Sequence, residues 1–133
     1  QDNHSKSSQG VLRGLHYQIQ HPQGKLVRVM TGRALDVVVD LRKDSPTFGQ
    51  HEKFVLDADK GNMLYVPIGF AHGFMALEET IFVYKCTNFW NKEAESGIRW
   101  NDPQLGIEWG MENPIVSDKD QILPDFDPNQ AIF

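Results

Sequence analysis

An all-β domain, either a sandwich or a barrel, is the fold class this sequence predicts, and three observations carry it. Apolar residues alternate with a period of two in run after run. Gly, Pro, Asn and Asp interrupt those runs roughly every ten residues, the rhythm of short strands and turns. Helical periodicity is nearly absent. At 133 residues the chain has the size of one compact domain with a real hydrophobic core.

The elements follow in chain order. "QDNHSKSSQG" is polar, has no apolar alternation, and reads as a loop that enters the domain midway. "VLRGLHYQ", residues 11–18, alternates like a strand. Unbroken, that strand would put Leu12, Gly14, His16 and Gln18 on one face and Arg13, Leu15 and Tyr17 on the other. A bulge at Gly14 would turn Arg13 toward the face of His16. "KLVRVMTGRALDVVVDL" reads as a hairpin of two strands joined at "TGR", with Leu35, Val37, Val39 and Leu41 on one face and Ala34, Asp36, Val38 and Asp40 on the other. "KFVLDADKGNMLYVP" repeats the pattern around the turn "DADKGN", and "TIFVYKCTNFW" is rich in β-branched and aromatic residues. The tail from "WNDPQLGIEW" onward holds Pro103, Pro114, Pro124 and Pro128, and reads as irregular structure packed over the barrel, with one short helical turn.

Composition narrows the function classes. A net charge of −5 gives no footprint for nucleic acid or an anionic membrane surface, so an anionic ligand would need a local cluster of cations. No run of about 18 apolar residues is present. The single cysteine, Cys86, excludes an internal disulfide and suits a reducing compartment; a cytoplasmic location is the expectation.

Of five histidines, His4, His21 and His51 have polar neighbours and read as solvated. His16 stands among strand apolars beside a glycine and reads either as a ligand-facing imidazole or as a hydrogen-bonded core residue. His72 lies in "VPIGFAHGF", where Pro67, Gly69 and His72 reproduce the P-x-G-x-x-H part of the second cupin motif. A cupin metal site also needs an H-x-H pair and an acid, and "HYQIQH" has neither the spacing nor the acid, so no metal is expected. Cations gather at Arg13, Lys25, Arg28 and Arg33, of which Arg28 and Arg33 read as solvated. Tyr84 shares a face with Phe82 and Cys86 and reads as core, and Asp120 reads as a surface acid.

Taken as a set and in order, "QDNHSKS", "VLRGLHYQ", "QGKLVRV", "DVVVDLRKDSPTFGQ", "VPIGFAHGF", "YKCTNFW", "IRWNDPQLGIEW" and "SDKD" resemble the dTDP-4-dehydrorhamnose 3,5-epimerase family. The resemblance implies a cupin-like double-stranded β-helix, or jelly roll, with an irregular C-terminal segment. It implies a cofactor-free epimerase that removes and returns protons at C3 and C5 of a dTDP-4-keto-6-deoxyhexose through an enolate. Under it His16 is the base, Asp120 its partner, Lys25 the stabiliser of oxyanion charge, and Tyr84 the acid on the opposite sugar face. Gln1, Asp2, Asn3 and Arg13 fall at the nucleotide diphosphate end, His72 at the sugar, and Glu95 and Lys119 at further ligand contacts. A homodimer is implied too, as is an N-terminal strand region ahead of Gln1 that these 133 residues do not contain. Phe89 and Trp90 replace a tyrosine pair common in the family, which keeps open an enzyme that inverts one carbon only. A sugar-nucleotide-binding cupin without turnover and a metal-dependent cupin oxygenase are the rival classes.

Overall fold

The computed structural model describes residues 1–133. Ten strands and one short helix follow the alternation: β1 (Asp2–Ser7), β2 (Val11–Gln18), β3 (Lys25–Thr31), β4 (Arg33–Asp40), β5 (His51–Asp57), β6 (Leu64–Val66), β7 (Phe70–Ala76), β8 (Thr80–Cys86), β9 (Glu95–Gly97), β10 (Ile115–Val116) and α1 (Asp118–Gln121). They form two sheets, a smaller one in the order β1-β8-β3-β6 and a larger one in the order β10-β2-β7-β4-β5, with β9 also pairing β2. Every pairing is antiparallel except β10 with β2. This is the expected all-β jelly roll, and the C-terminal segment is irregular as expected, apart from β10 and α1.

Two expectations change. The polar opening is a strand, not a loop: β1 pairs along its whole length with β8. As an edge strand it presents Asn3, Ser5 and Ser7 to the interior and Asp2, His4 and Lys6 to solvent, so both faces are polar and the alternation is invisible to hydropathy. The segment read as a hairpin at "TGR" is a corner between sheets, because β3 belongs to the smaller sheet and β4 to the larger. Gly32 makes that corner with φ of 79°, a left-handed conformation that glycine adopts freely.

The strands bury two apolar layers. Between the sheets, Val27, Val29 and Phe82 pack on Ala34, Leu56 and Phe74, with the Phe74 and Phe82 rings stacked 4.0 Å apart. On the other face of the larger sheet, Leu12, Leu15, Val37, Val39, Leu41, Ala71 and Met75 pack against Ile98, Leu105, Trp109 and Phe126 of the C-terminal segment. Asp102 ties that segment down. Its Oδ1 accepts from the amides of Gln104 (2.7 Å) and Leu105 (3.0 Å), and its Oδ2 from that of Phe126 (2.7 Å).

Candidate active site

The site begins with Gly14. The β2–β7 register slips between Arg13 and His16, so the expected bulge is present. A Cβ on Gly14 would lie 2.6 Å from Gly73 Cα and 2.8 Å from the His72 carbonyl oxygen, and φ is 121°; only glycine fits. Past the bulge, Arg13 and His16 border the same space, which an unbroken strand would have forbidden.

That space is a cavity of about 370 Å³ between the sheets. The smaller sheet contributes Asn3, Ser5, Lys25, Phe82, Tyr84 and Cys86; the larger contributes Arg13, His16, Gln18 and His72; Gln1, Gln23, Trp90 and Glu95 complete the rim. His16 and Tyr84 therefore stand on opposing walls. Lys25 is on the wall of Tyr84, paired in register with Cys86, while Val27 pairs with Tyr84.

Asp120 is no surface acid. It is 3% exposed, in α1, whose N-cap Ser117 accepts the Asp120 amide at 3.2 Å. Its Oδ1 meets Nε2 of His16 at 2.7 Å and its Oδ2 accepts the Gly14 amide at 3.0 Å. Burial works to raise the carboxyl, but the bond to His16, its charge and the Gly14 amide together hold it below the ordinary value. With Nε2 committed to a carboxylate, Nδ1 of His16 is the nitrogen left for the cavity.

Lys25 makes no hydrogen bond to another protein group, and burial lowers its pKa against the opposing pull of Cys86, Glu95 and Asp36. Burial likewise raises the Tyr84 phenol. Glu95 sits at the rim, where Lys119 donates to it at 2.7 Å. Burial pushes Glu95 up, yet the Lys119 bond and the charges of His16 and Lys119 leave it lowered.

Of the residues singled out in the sequence, Gln1, Asn3, Arg13, His16, Lys25, His72, Tyr84 and Glu95 line this cavity. Asp120 reaches it through His16 and Lys119 through Glu95. Asp2 is not brought in. The alternation of β1 turns it outward, where it accepts from Lys85 at 2.7 Å. Trp90 is at the rim, whereas Phe89 is 77% exposed and does not line the cavity.

Sequence reasoning missed Asp36, Gln18 and Cys86. Gln18 is 3% exposed and braces the rim, donating to the His21 carbonyl (2.7 Å) and accepting the Asn91 amide (2.9 Å). Asp36 is wholly buried and bonded to His72; an acid inside "ALDVVVDL" was its available signal. No group of three or more His, Cys, Asp or Glu side chains is placed to hold a metal ion.

Comparison with known proteins fits this constellation. The family model described as dTDP-4-dehydrorhamnose 3,5-epimerase matches residues 1–128. The chain belongs to the dTDP-4-dehydrorhamnose 3,5-epimerase family. It is 55% identical over 122 residues to the dTDP-4-dehydrorhamnose 3,5-epimerase of Shigella flexneri, a match covering 90% of this chain and 67% of that protein. The crystal structure of the enzyme of the same name from Elizabethkingia anophelis superimposes with a TM-score of 0.92 at 52% identity, covering 95% of this chain and 71% of the other. That of a dTDP-6-deoxy-D-glucose-3,5-epimerase from Legionella pneumophila, in complex with dTDP-4-keto-L-rhamnose, gives 0.87 at 44%, covering 96% and 74%. The family members are thus longer than these 133 residues.

Proposed function

We propose that the chain acts as a 3,5-epimerase on dTDP-4-keto-6-deoxyglucose, by proton removal and return without a cofactor. The observation that carries this is the facing pair of His16 and Tyr84 across one cavity, with Lys25 on the Tyr84 wall.

The C3 and C5 protons of a 4-ketohexose are both α to the carbonyl. Nδ1 of His16 takes one of them, and the C–H electron pair moves into the C4–O system to form an enolate. The Lys25 ammonium lies where oxyanion charge needs a donor, a contribution worth a few kcal/mol in such sites. Asp120 fixes the His16 tautomer and balances the imidazolium that forms. Tyr84 then gives its phenol proton to the other face of the carbon, which inverts it; return from His16 would only regenerate substrate. Its raised pKa suits a group that must hold its proton until then. Arg13, whose Nε donates to Ser7 at 3.1 Å, supplies cationic charge for the diphosphate, with Gln1 and Asn3 beside it.

We read residues 1–133 as one jelly-roll domain of a homodimeric, cytoplasmic enzyme. The exposed Met30 and Tyr65 on the outer face of the smaller sheet support pairing with a second copy, which size-exclusion chromatography tests. The buried, unpaired thiol of Cys86 suits a reducing compartment, and no helix is long and apolar enough to cross a membrane.

Incubation with dTDP-4-keto-6-deoxyglucose in deuterated water tests the reaction. Deuterium is expected at both C3 and C5, and chelator is expected to leave the exchange unchanged. Label at one carbon would make the protein a mono-epimerase, and tight binding with no label would make it a binding module.

A further inference from the structure

A second His–Asp pair faces the same cavity, and no step of the mechanism uses it. We propose that Asp36 is a positioning residue: by accepting a hydrogen bond from Nε2–H of His72 it leaves a bare Nδ1 facing the cavity, where Nδ1 accepts a hydrogen bond from the C2 hydroxyl of the sugar. The identity of the sugar rests on the epimerase reading above; the tautomer rests on the contact between Asp36 and His72 and is independent of that reading.

Asp36 is 0% exposed, in β4, and its neighbours on the inner face are Ala34 and Val38. A carboxylate costs stability at such a place unless it is hydrogen-bonded or paired. Asp36 is only half satisfied. Its Oδ2 meets Nε2 of His72 at 2.8 Å, and its Oδ1 has no partner at all. A fully buried side chain is thus committed to one N–H.

His72 is fixed from three directions. Asp36 holds Nε2, the Phe82 ring lies 6.2 Å away at 31°, and β7 is pinned between β2 and β4. A carboxylate at Asp36 can only accept, so the 2.8 Å contact pairs it with a proton on Nε2 of His72, and in that tautomer Nδ1 keeps its lone pair. Nδ1 meets no protein donor, and His72 lines the cavity. Lys25 and Arg13, which line the same cavity, can only donate. An acceptor on the His16 wall therefore asks for a donor on the ligand.

A 4-keto-6-deoxyhexose joined to a nucleotide through C1 keeps hydroxyls only at C2 and C3. The C3 hydroxyl changes sides when that carbon inverts, whereas the C2 hydroxyl keeps its place. An imidazole backed by a wholly buried carboxylate is a rigid acceptor and suits the group that does not move. Its place agrees: His72 pairs in register with His16, so the acceptor for C2 stands next to the base for the adjoining C3.

Two measurements on the full chain test this. In the free protein at about pH 8, where an ordinary imidazole is neutral, nitrogen-15 NMR of the histidines should show His72 with a protonated Nε2 and an unprotonated Nδ1, its signal identified by its loss in His72→Gln. A protonated Nδ1 would overturn the proposal, and this readout does not depend on turnover. In the deuterium assay, the 2-deoxy analogue should lose about tenfold or more in kcat/KM, while the 3-deoxy analogue should exchange at C5 close to the rate of the parent sugar. Equal rates for the 2-deoxy and parent sugars would overturn the assignment of the hydroxyl. Asp36→Ala, if it folds, should erase the preference between those two sugars and mix the tautomers; an unchanged preference would remove Asp36 from the account. A protein that exchanges none of the three sugars would defeat the epimerase reading and leave the NMR result to decide the tautomer.

Discussion

The two faces of the larger sheet are cut from the same strands. Along β4 and the residue after it, Leu35, Val37, Val39 and Leu41 turn toward the C-terminal segment, into the larger apolar layer. Ala34, Asp36, Val38 and Asp40 turn the other way. There the apolar filling is thinner, six buried residues against twelve, and it ends at a polar cavity whose wall is His16, His72 and the bulge at Gly14. The outer face is dry and continuous, so it can carry stability. The inner face gives up part of its packing for unpartnered donors and acceptors, which are costly when empty and useful when a ligand fills them. Strand alternation lets both coexist on one sheet, because consecutive side chains of a regular strand point to opposite faces.

If the division holds, a change on the inner face should remove activity with little loss of fold, and a change on the outer face should do the reverse. The largest effect is expected from His16→Ala. Loss of the base should cut deuterium exchange at C3 and C5 together by about 10²–10⁴-fold, with the cooperative thermal transition retained. Full exchange in this variant would mean the base is another group. Next comes Asp102→Ala on the opposite side. It strips the acceptor from three amides, including that of Phe126, whose ring is in the larger apolar layer. Denaturant unfolding should show about 2–4 kcal/mol lost, with kcat/KM of the folded fraction nearly unchanged. A selective loss of turnover there would show that the C-terminal layer shapes the site and would break the comparison.

How much of this was legible in the chain follows the same division. The outer face was readable because its signal is hydrophobic: Leu35, Val37, Val39 and Leu41 announce one buried side by alternation alone. The bulge was readable because Gly14 between Arg13 and His16 is an expensive choice for a strand interior unless another backbone comes close. Asp120 was not. It reads as a surface acid in "SDKD", and only the fold brings it 104 residues back along the sequence to His16. β1 was hidden because an edge strand that faces solvent on one side and a polar cavity on the other needs no apolar residue. Asp36 was visible as an acid in an apolar run, but its partner lies on a neighbouring strand 36 residues away, and residue types alone do not set the register.

The subtlest expected effect is a shift in pH dependence, and it sharpens the contrast within the inner face itself. Lys25 and Tyr84 share one wall and are both perturbed first by burial, which always disfavours the charged form. For the lysine the charged form is the protonated one, so its pKa falls below the ordinary 10.5; for the tyrosine it is the deprotonated one, so its pKa rises above 10.0. Both groups work in the protonated state, one as cation and one as acid. As pH rises, burial brings the loss of the Lys25 proton to lower pH and delays that of Tyr84, so the alkaline loss of activity is assigned to Lys25. The alkaline limb of kcat/KM for exchange should lie below the ordinary lysine value, and Tyr84→Phe, which still permits proton removal by His16, should slow inversion more than exchange and leave that limb in place. A limb that moves or vanishes with Tyr84→Phe would assign it to the phenol, and the cation at the keto oxygen would have to be sought elsewhere.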